Sequence, residues 1–462
     1  MLLKDILHPE KKIAILWFWK EGQSTLEFLL KQGKKDITIL DFDARKADYM
    51  YHYTKKYNQI LYYEFWEKYL DNLKKFDYII KTPWISPFQE KIIKYKEKCI
   101  SQTQIFFSKY HEKVIGITGT KGKSTVSTLL TTSLEKLWYK VKLVWNIWNP
   151  VLDEIDIFWN DVYDFIIYEL SSYMLQDFSP SLYIGIINNI YPCHLDWHNN
   201  SYDIYQQSKI NILKNTSIKI INYELEDNED IKNINGNIYF FWKQGRSCVK
   251  NTWIYVDNTM LIELANTKLI WIHNLYNIAA VCETILHINN NTKHVLSTLK
   301  EILHNFSWLP HRLQDIWIYE GIRFIDDAIA TTPESTIAAI KALNWWLQSI
   351  LLWWQDSWFS FEKIRKEILH SSIDIVIAFP DTSEKIFPEI LYRPYDMAFE
   401  MMIDGKNILF LKTRSMKIAI NFCFRNTLYG RSVLLSSWAP SFSLWRNYTD
   451  KAKEFIFEVQ NF

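Results

Sequence analysis

Glycine is what this sequence most lacks. It has 11 glycines against 21 tryptophans in 462 residues, where average usage would supply roughly 32 glycines. Glycine serves tight turns and close approach of the backbone to a ligand, and tryptophan cannot replace it there. Yet tryptophans stand in such places. Leu16-Trp17-Phe18-Trp19-Lys20-Glu21-Gly22, Val144-Trp145-Asn146-Ile147-Trp148-Asn149-Pro150 and Leu352-Trp353-Trp354-Gln355-Asp356-Ser357-Trp358 each follow an apolar run, where a turn is due. The pattern is that of UGA codons meant as glycine and written as tryptophan. The plainer alternative is a truly Trp-rich chain, such as a sugar binder with aromatic platforms. Not every tryptophan is suspect. Trp66, in Phe65-Trp66-Glu67-Lys68-Tyr69, reads as an amphipathic helix residue, and Trp197 and Trp445 read as genuine.

Other absences narrow the class. The five cysteines (Cys99, Cys193, Cys248, Cys282, Cys423) are scattered without a metal-type pair, and read as reduced thiols of a cytosolic protein. No apolar run is long enough to span a membrane. The stretch from Met1 to Trp17 lacks the basic-then-apolar profile of a signal peptide. A net charge of +1 gives no polyanion-binding surface by charge alone, so no nucleic-acid partner is expected. No repeat of solenoid period is visible. We therefore expect a cytoplasmic protein without a membrane span.

What is present is an alternation of apolar strands and helices. A content of 48% hydrophobic residues is ample for buried cores, and the length suggests two to four domains. The first block has a strand over Ile13 to Leu16, a turn, a helix from about Ser24 to Gln32 and a strand over Ile37 to Leu40 ending at Asp41. The second opens with the buried strand Val114-Ile115-Gly116-Ile117-Thr118 and continues with strands at Phe165 to Tyr168 and Ile184 to Ile187. The third begins near Trp308-Leu309-Pro310-His311-Arg312, with strands at Arg323 to Ile325, Ile350 to Leu352, Ile373 to Ala378 and Val433 to Leu435. The fold class is α/β: three domains over residues 1–105, 106–305 and 306–462, each a largely parallel sheet flanked by helices. The first and last are expected to be Rossmann-like, and the central one a P-loop-type ATPase.

The strongest chemical motif is Thr118-Gly119-Thr120-Lys121-Gly122-Lys123-Ser124-Thr125, between a strand and the helix Val126 to Leu134. Its glycines let backbone N–H groups close around phosphate oxygens at a helix N-terminus. Lys123 would reach the β- and γ-phosphates, and Ser124 or Thr125 would ligate Mg²⁺. Ile117 occupies the place of the general P-loop's first glycine. Glu169 ends the strand Phe165 to Tyr168, where a carboxylate beside a phosphate loop is placed to hold Mg²⁺ or is simply a strand-end charge. His194 and Asp196 follow another strand and belong at the same sheet edge. Lys209 by itself reads as a solvated helix lysine.

Taken in order, Gly119 to Thr125, Glu169-Leu170-Ser171-Ser172, His194-Leu195-Asp196 and His273-Asn274-Leu275-Tyr276-Asn277 resemble the Mur ligases, ATP-dependent amide-forming enzymes of peptidoglycan precursor synthesis. Leu309-Pro310-His311-Arg312-Leu313, Asp326-Asp327 with Ala330 to Thr336, and Ala439-Pro440-Ser441-Phe442-Ser443 are similar to the members that join D-glutamate to UDP-N-acetylmuramoyl-L-alanine. The resemblance covers nearly the whole chain. Family members typically carry glycine at the positions of Trp17, Trp19, Trp145, Trp148, Trp271, Trp308, Trp353, Trp354 and Trp358. With glycine restored, Trp17 to Gly22 becomes a G-x-G-x-x-G fingerprint that holds the UDP end of the substrate.

The resemblance implies two steps: phosphorylation of the substrate carboxylate by ATP to an acyl phosphate, then attack by the amine of D-glutamate. It implies that Gly119, Thr120, Lys121, Gly122, Lys123, Ser124 and Thr125 bind ATP, with Asn274 and Asn277 on the adenine side and Arg312 and Asp327 reaching ATP from the third block. Lys123, Lys209, His194 and Asn146 would be catalytic. Ser124, Glu169, His194 and Lys209 would hold two Mg²⁺ ions, one of them through a carbamate on Lys209. Trp17, Phe18, Trp19 and Asp41 would meet the UDP end, and Thr331, Ser441, Phe442 and Tyr448 the incoming D-glutamate. A monomer is expected. The chain departs from the family pattern at Cys193 (usually Asp), at Ser357 (usually Lys), and at Ala328 and Ile329 (commonly Ser-Lys). These departures keep open a Mur-type ligase for another amino acid, a folylpolyglutamate synthetase-like enzyme, or a non-catalytic UDP-sugar-binding relative.

Overall fold

A computed structural model of the chain describes residues 2–66, 68–144, 150–154, 162–267, 273–306, 311, 313–328, 330, 333–354, 361–380, 383–438, 445 and 448–462. It divides into two compact units, Met1–Ser307 and Trp308–Phe462.

The first unit holds two parallel sheets. In one, β1 (Ile13–Leu16), β2 (Ile37–Asp41), β3 (Tyr62–Phe65), β4 (Tyr78–Lys81) and β5 (Cys99–Ile100) run in the order β3-β2-β1-β4-β5. The other comprises β6 (Val114–Thr118), β7 (Val141–Val144), β8 (Phe165–Glu169), β9 (Ser181–Ile187), β10 (Asn215–Asn222) and β11 (Ile238–Phe241), in the order β11-β10-β9-β6-β8-β7. Strands β1 and β6 are buried at every residue, as central parallel strands covered by helices on both faces must be. A small antiparallel sheet, β12 (Ser247–Lys250), β13 (Trp253–Val256) and β14 (Thr259–Glu263), follows. The two large sheets of this unit are tied by a reciprocal pair of bonds: Ser86 Oγ donates to the Trp197 carbonyl (2.8 Å), and the Trp197 indole donates to the Trp84 carbonyl (3.0 Å).

The second unit is a seven-stranded sheet of β15 (Gln314–Tyr319), β16 (Ile322–Asp327), β17 (Leu347–Trp354), β18 (Ile375–Ala378), β19 (Met397–Ile403), β20 (Lys406–Lys412) and β21 (Ser432–Trp438). Its order is β15-β16-β21-β17-β18-β20-β19, with parallel central strands and antiparallel edges at β15 and β19.

Two helices of the first unit position its loops. Helix α1 (Lys20–Lys31) follows β1, and α2 (Lys123–Lys136) follows β6. Both begin three or four residues before the helices expected from periodicity, because each preceding turn delivers the chain directly into helical geometry. Both end in the same way. After α1, the Gly33 N–H bonds Leu30 O and the Lys34 N–H bonds Leu29 O; after α2, the Trp138 N–H bonds Glu135 O and the Tyr139 N–H bonds Leu134 O. These are Schellman motifs, whose pivotal residue is left-handed and usually glycine. Gly33 has φ 75° and Trp138 has φ 71°.

Tryptophan is left-handed at three further positions, Trp17 (φ 74°), Trp66 (φ 73°) and Trp242 (φ 96°). For a bulky side chain this is an outlier conformation; most of the other left-handed non-glycine residues are Asn or Asp. Trp66 is thus corrected. It lies in a bend just after β3 rather than in a helix, because the β2–β3 pairing extends β3 through Phe65.

Candidate active site

The C-terminal ends of β6, β8 and β9 meet beneath the Gly119–Lys123 loop. Glu169 is level with Ile117 in the β6–β8 register, and Asn188 N donates to Thr118 O (3.0 Å). The loop is laced to the end of β9: Thr120 N bonds Asn189 O (3.0 Å), Lys121 N bonds Asn189 Oδ1 (2.8 Å), and Asn188 Nδ2 donates to Lys121 O (3.1 Å). Gly122, at φ 82°, opens α2. A Cβ there would fall 2.1 Å from Asn277 Oδ1 and 2.4 Å from Asn188 Nδ2, so only glycine fits. Lys123 Nζ curls back to Gly119 O (3.0 Å) and Thr120 O (3.4 Å).

Helix α5 (His273–Ile288) brings Asn274 and Asn277 to this loop. Asn188 Nδ2 donates to Asn277 Oδ1 (2.7 Å), and Asn277 Nδ2 to Asn274 Oδ1 (2.9 Å). Asn274 Nδ2 and Asn188 Oδ1 are buried without a partner among the described residues. Buried amide groups of this kind are normally hydrogen-bonded, so these two atoms mark a polar position beside the glycine loop. Asn188 was missed in the sequence; the signal was Asn188-Asn189 directly after the buried run Ile184 to Ile187.

Lys209 overturns its reading as a solvated lysine. On α4 (Tyr202–Ile210, with α3 defined as Ser172–Leu175), it is 2% exposed and its Nζ donates to Gly119 O (2.9 Å). Burial, then the Lys123 ammonium, holds its pKa well below the usual lysine range. The apolar face of α4 turns Lys209 toward β6, something a charged residue does not announce in sequence. Its nitrogen also lies 5.0 Å over the Tyr205 ring, and the Tyr205 hydroxyl bonds Thr120 Oγ1 (2.8 Å).

Glu169 is 4% exposed at the end of β8. His194 is left-handed (φ 53°) with its ring 5.3 Å from that of Tyr173. Among the described residues, no three His, Cys, Asp or Glu converge as metal ligands. The set Ser124, Glu169, His194 and Lys209 carries one carboxylate, fewer than a hard divalent cation favours, unless Lys209 gains an oxygen-bearing group.

At the first sheet, Asp41 ends β2, as expected, and is already engaged. Its Oδ2 accepts from Phe18 N (2.6 Å) and Lys46 Nζ (2.7 Å), and its Oδ1 from Asp43 N (2.9 Å). The Phe18 side chain is fully buried against Tyr53, so Phe18 offers only its backbone to the loop. Trp17 N bonds Leu40 O (2.9 Å), and a Cβ on Gly22 would lie 2.4 Å from Trp17 O. Trp19 is half exposed, with Lys46 Nζ 5.1 Å from its ring. Glu21, in the first turn of α1, has a buried Oε2 without a partner among the described residues, and burial pushes its pKa up to about 7.

In the second unit, Asp327 is buried at the end of β16 and accepts from Leu313 N (3.1 Å). Asp326 beside it accepts from His311 Nδ1 (2.6 Å) and Ala328 N (2.8 Å), a pair missed in the sequence although both residues lie in its motifs. Tyr448 opens helix α6 (Tyr448–Gln460). Trp353 is 1% exposed, and its Nε1 has no partner among the described residues. Asn146, Arg312, Thr331, Ser441 and Phe442 lie outside the described residues, as do Ser357 and Trp358.

This architecture belongs to a known class. Residues 117–285 match the model of the Mur ligase middle domain. Solved structures with the same fold include a pseudomurein peptide ligase type C from Methanothermus fervidus (18% identity, TM-score 0.52, covering 97% of this chain and 99% of that one). A MurF ligase from Thermotoga maritima in complex with ADP is also similar (14%, TM-score 0.52, 98% and 95%). Among relatives of known name, UDP-N-acetylmuramoylalanine--D-glutamate ligase of Clostridium tetani is 26% identical (98% of this chain, 97% of the relative). The enzyme of the same name from Clostridium kluyveri is 27% identical (96% and 95%). The chain is thus similar to the Mur ligases, by the family model over residues 117–285 and by relatives at 26–27% identity along nearly its whole length.

Proposed function

We propose that the chain is an ATP-dependent amide ligase that joins D-glutamate to UDP-N-acetylmuramoyl-L-alanine in the cytoplasm, as the first step after L-alanine has been attached. The observation that carries the ligase reading is the convergence of the glycine-bearing loop, Lys123, Glu169 and Lys209 at one sheet edge. The choice of D-glutamate rests on the similarity to the clostridial enzymes of that name.

In this reading the loop's N–H groups and the α2 N-terminus cradle the ATP phosphates, and Lys123 leaves its carbonyl partners to neutralise charge on the transferring phosphoryl. The substrate carboxylate takes the γ-phosphoryl, giving an acyl phosphate and ADP. The D-glutamate amine then attacks the carbonyl carbon, and phosphate leaves. Mg²⁺ would be held by Ser124, Glu169 and His194, and by a carbamate formed when the Lys209 amine adds CO₂ and loses a proton; it would supply charge neutralisation at the phosphates. Burial of Lys209 against the loop favours this, since an uncharged amine is the form that adds CO₂. Asn274 and Asn277 would face the adenine side, and Arg312, Asp327, Asn146, Thr331, Ser441, Phe442 and Tyr448 keep the roles implied by resemblance.

ADP release is the test, measured with ATP, Mg²⁺ and UDP-N-acetylmuramoyl-L-alanine. Release that requires D-glutamate supports the reading. Release with a different amino acid makes the chain another Mur-type ligase. No release with any amino acid, despite substrate binding, makes it a non-catalytic relative.

A further inference from the structure

We propose that His198 is a positioning residue that clasps together the three segments bearing Glu169, His194 and Lys209. This rests on the reading above, in which those three hold the divalent cation. His198 has no exposed surface. Its Nδ1 is 2.7 Å from Gln176 Oε1 and its Nε2 3.1 Å from Ser172 Oγ. An amide oxygen can only accept, so Nδ1 carries the proton and Nε2 accepts from the serine hydroxyl. Both partners lie on or just after α3, the short helix that follows Glu169. The His198 carbonyl accepts from Ser201 N (3.1 Å), and Ser201 Oγ caps α4, the helix of Lys209. The ring also meets Tyr205 edge-on at 5.2 Å, and Tyr205 reaches the phosphate loop through Thr120. His194 stands four residues upstream on the same loop.

One imidazole therefore touches every segment that must converge, and a rigid ring with opposed nitrogens spans a gap that a flexible amide would not hold. It does so uncharged: burial, with Lys209 and His194 nearby, pushes its pKa down to about 3. A neutral clasp adds no repulsion to a cation site. Residues that orient metal ligands typically change metal affinity by about 10- to 100-fold when lost.

The test is calorimetric binding of ADP to the full chain, with Mn²⁺ and again with EDTA, for the native chain and for His198→Ala, Ser172→Ala and Gln176→Ala. The expected result is that His198→Ala weakens Mn²⁺-dependent ADP binding by about 10-fold or more while metal-free ADP binding stays unchanged. The two single-bond variants should each give a smaller loss of the same kind. Equal losses with and without metal would make His198 merely structural and overturn the proposal, as would unchanged Mn²⁺ dependence in Ser172→Ala and Gln176→Ala should His198→Ala not fold. If the native chain itself gains nothing from Mn²⁺, the underlying reading fails instead, and this proposal with it.

Backbone handedness carries a second inference independently. We infer that positions 66, 138 and 242, together with 17, are glycine in the protein made by its source cell. All four are left-handed, and Trp138 occupies the pivot of a Schellman motif that Gly33 fills elsewhere in the chain. Left-handed geometry brings the Cβ of an L-residue too close to the following carbonyl oxygen, a clash that glycine avoids. Peptide mass spectrometry of protein from the native source decides it. Glycine at 66, 138 and 242 supports the inference; tryptophan at these positions overturns it.

Discussion

The two strand–turn–helix loops of the first unit differ in where the chain turns left-handed and in what fills the turn. After β6, Gly122 is left-handed at the N-cap of α2, with the amides of Asn277 and Asn188 nearest to it. After β1, Trp17 is left-handed directly past the strand, and the N-cap of α1 is Trp19 in extended geometry (φ −97°). In the loop after β6, Thr120 N and Lys121 N are held by Asn189, and Gly122 leads directly into the N-terminus of α2. The loop after β1 has a left-handed turn at Trp17, retains Gly22 where any Cβ would strike Trp17 O, and carries indoles at Trp17 and Trp19. The helices differ too: α2 opens with Lys123, whereas the first turn of α1 holds Glu21, whose Oε2 is buried. The lesson is that backbone geometry survives where side-chain identity contradicts it.

That comparison can be broken most forcefully at Lys123. Lys123→Ala should lower amino-acid-dependent ADP release by about 10²–10³-fold with the fold intact by circular dichroism, since it removes a charge aimed at the transferring phosphoryl. A loss of under threefold would mean that the loop after β6 is not the catalytic one. Next is Glu21. Its pKa is raised on folding to about 7, so the folded state disfavours the carboxylate. The chain should lose stability as pH rises from about 4.5 to about 7 and change little from this group above that, by up to about 3 kcal/mol. Denaturant midpoints of Glu21→Gln at pH 4 and pH 8 check this: the variant should be relatively more stable at pH 8 only.

The double change Trp17→Gly with Trp19→Gly should tighten binding of UDP-N-acetylmuramoyl-L-alanine by about tenfold or more, by opening the close approach that the first loop's turn already provides. Unchanged or weaker binding by calorimetry would mean that the first loop does not take pyrophosphate. The smallest effect expected is from Trp138→Gly, which should raise stability by about 1 kcal/mol by relieving the left-handed strain at the end of α2. Gly33→Ala, its mirror experiment at the end of α1, should lower stability by a similar amount.

Much of this was legible in the letters. β1, β6 and the strand ending at Glu169 are short apolar runs bounded by turns, and Gly119 to Thr125 declares its chemistry through residue type and spacing. Lys209 was not legible from its own surroundings, because nothing local distinguishes a buried lysine on an amphipathic helix from a solvated one; only the ordered resemblance singled it out. Asn188 and His198 were missed for a related reason. Their roles arise from partners 89 and 26 residues away, Asn277 and Ser172, which no window of sequence brings together. Trp66 was misread because a helical pattern of aromatics outweighed the pairing of β3 with β2, a long-range fact.

The joint between the two large sheets of the first unit has a different relation to the genetic code. The Trp197 indole donates to the carbonyl of residue 84, and Ser86 donates to the carbonyl of residue 197. A carbonyl oxygen is the same whichever codon specifies the residue behind it. The acceptor halves of this joint are therefore silent to a reassigned codon, whereas the left-handed turns record each one. A lineage that changes the meaning of a stop codon would meet its constraint first at turns and caps, and only later at contacts made through main-chain acceptors.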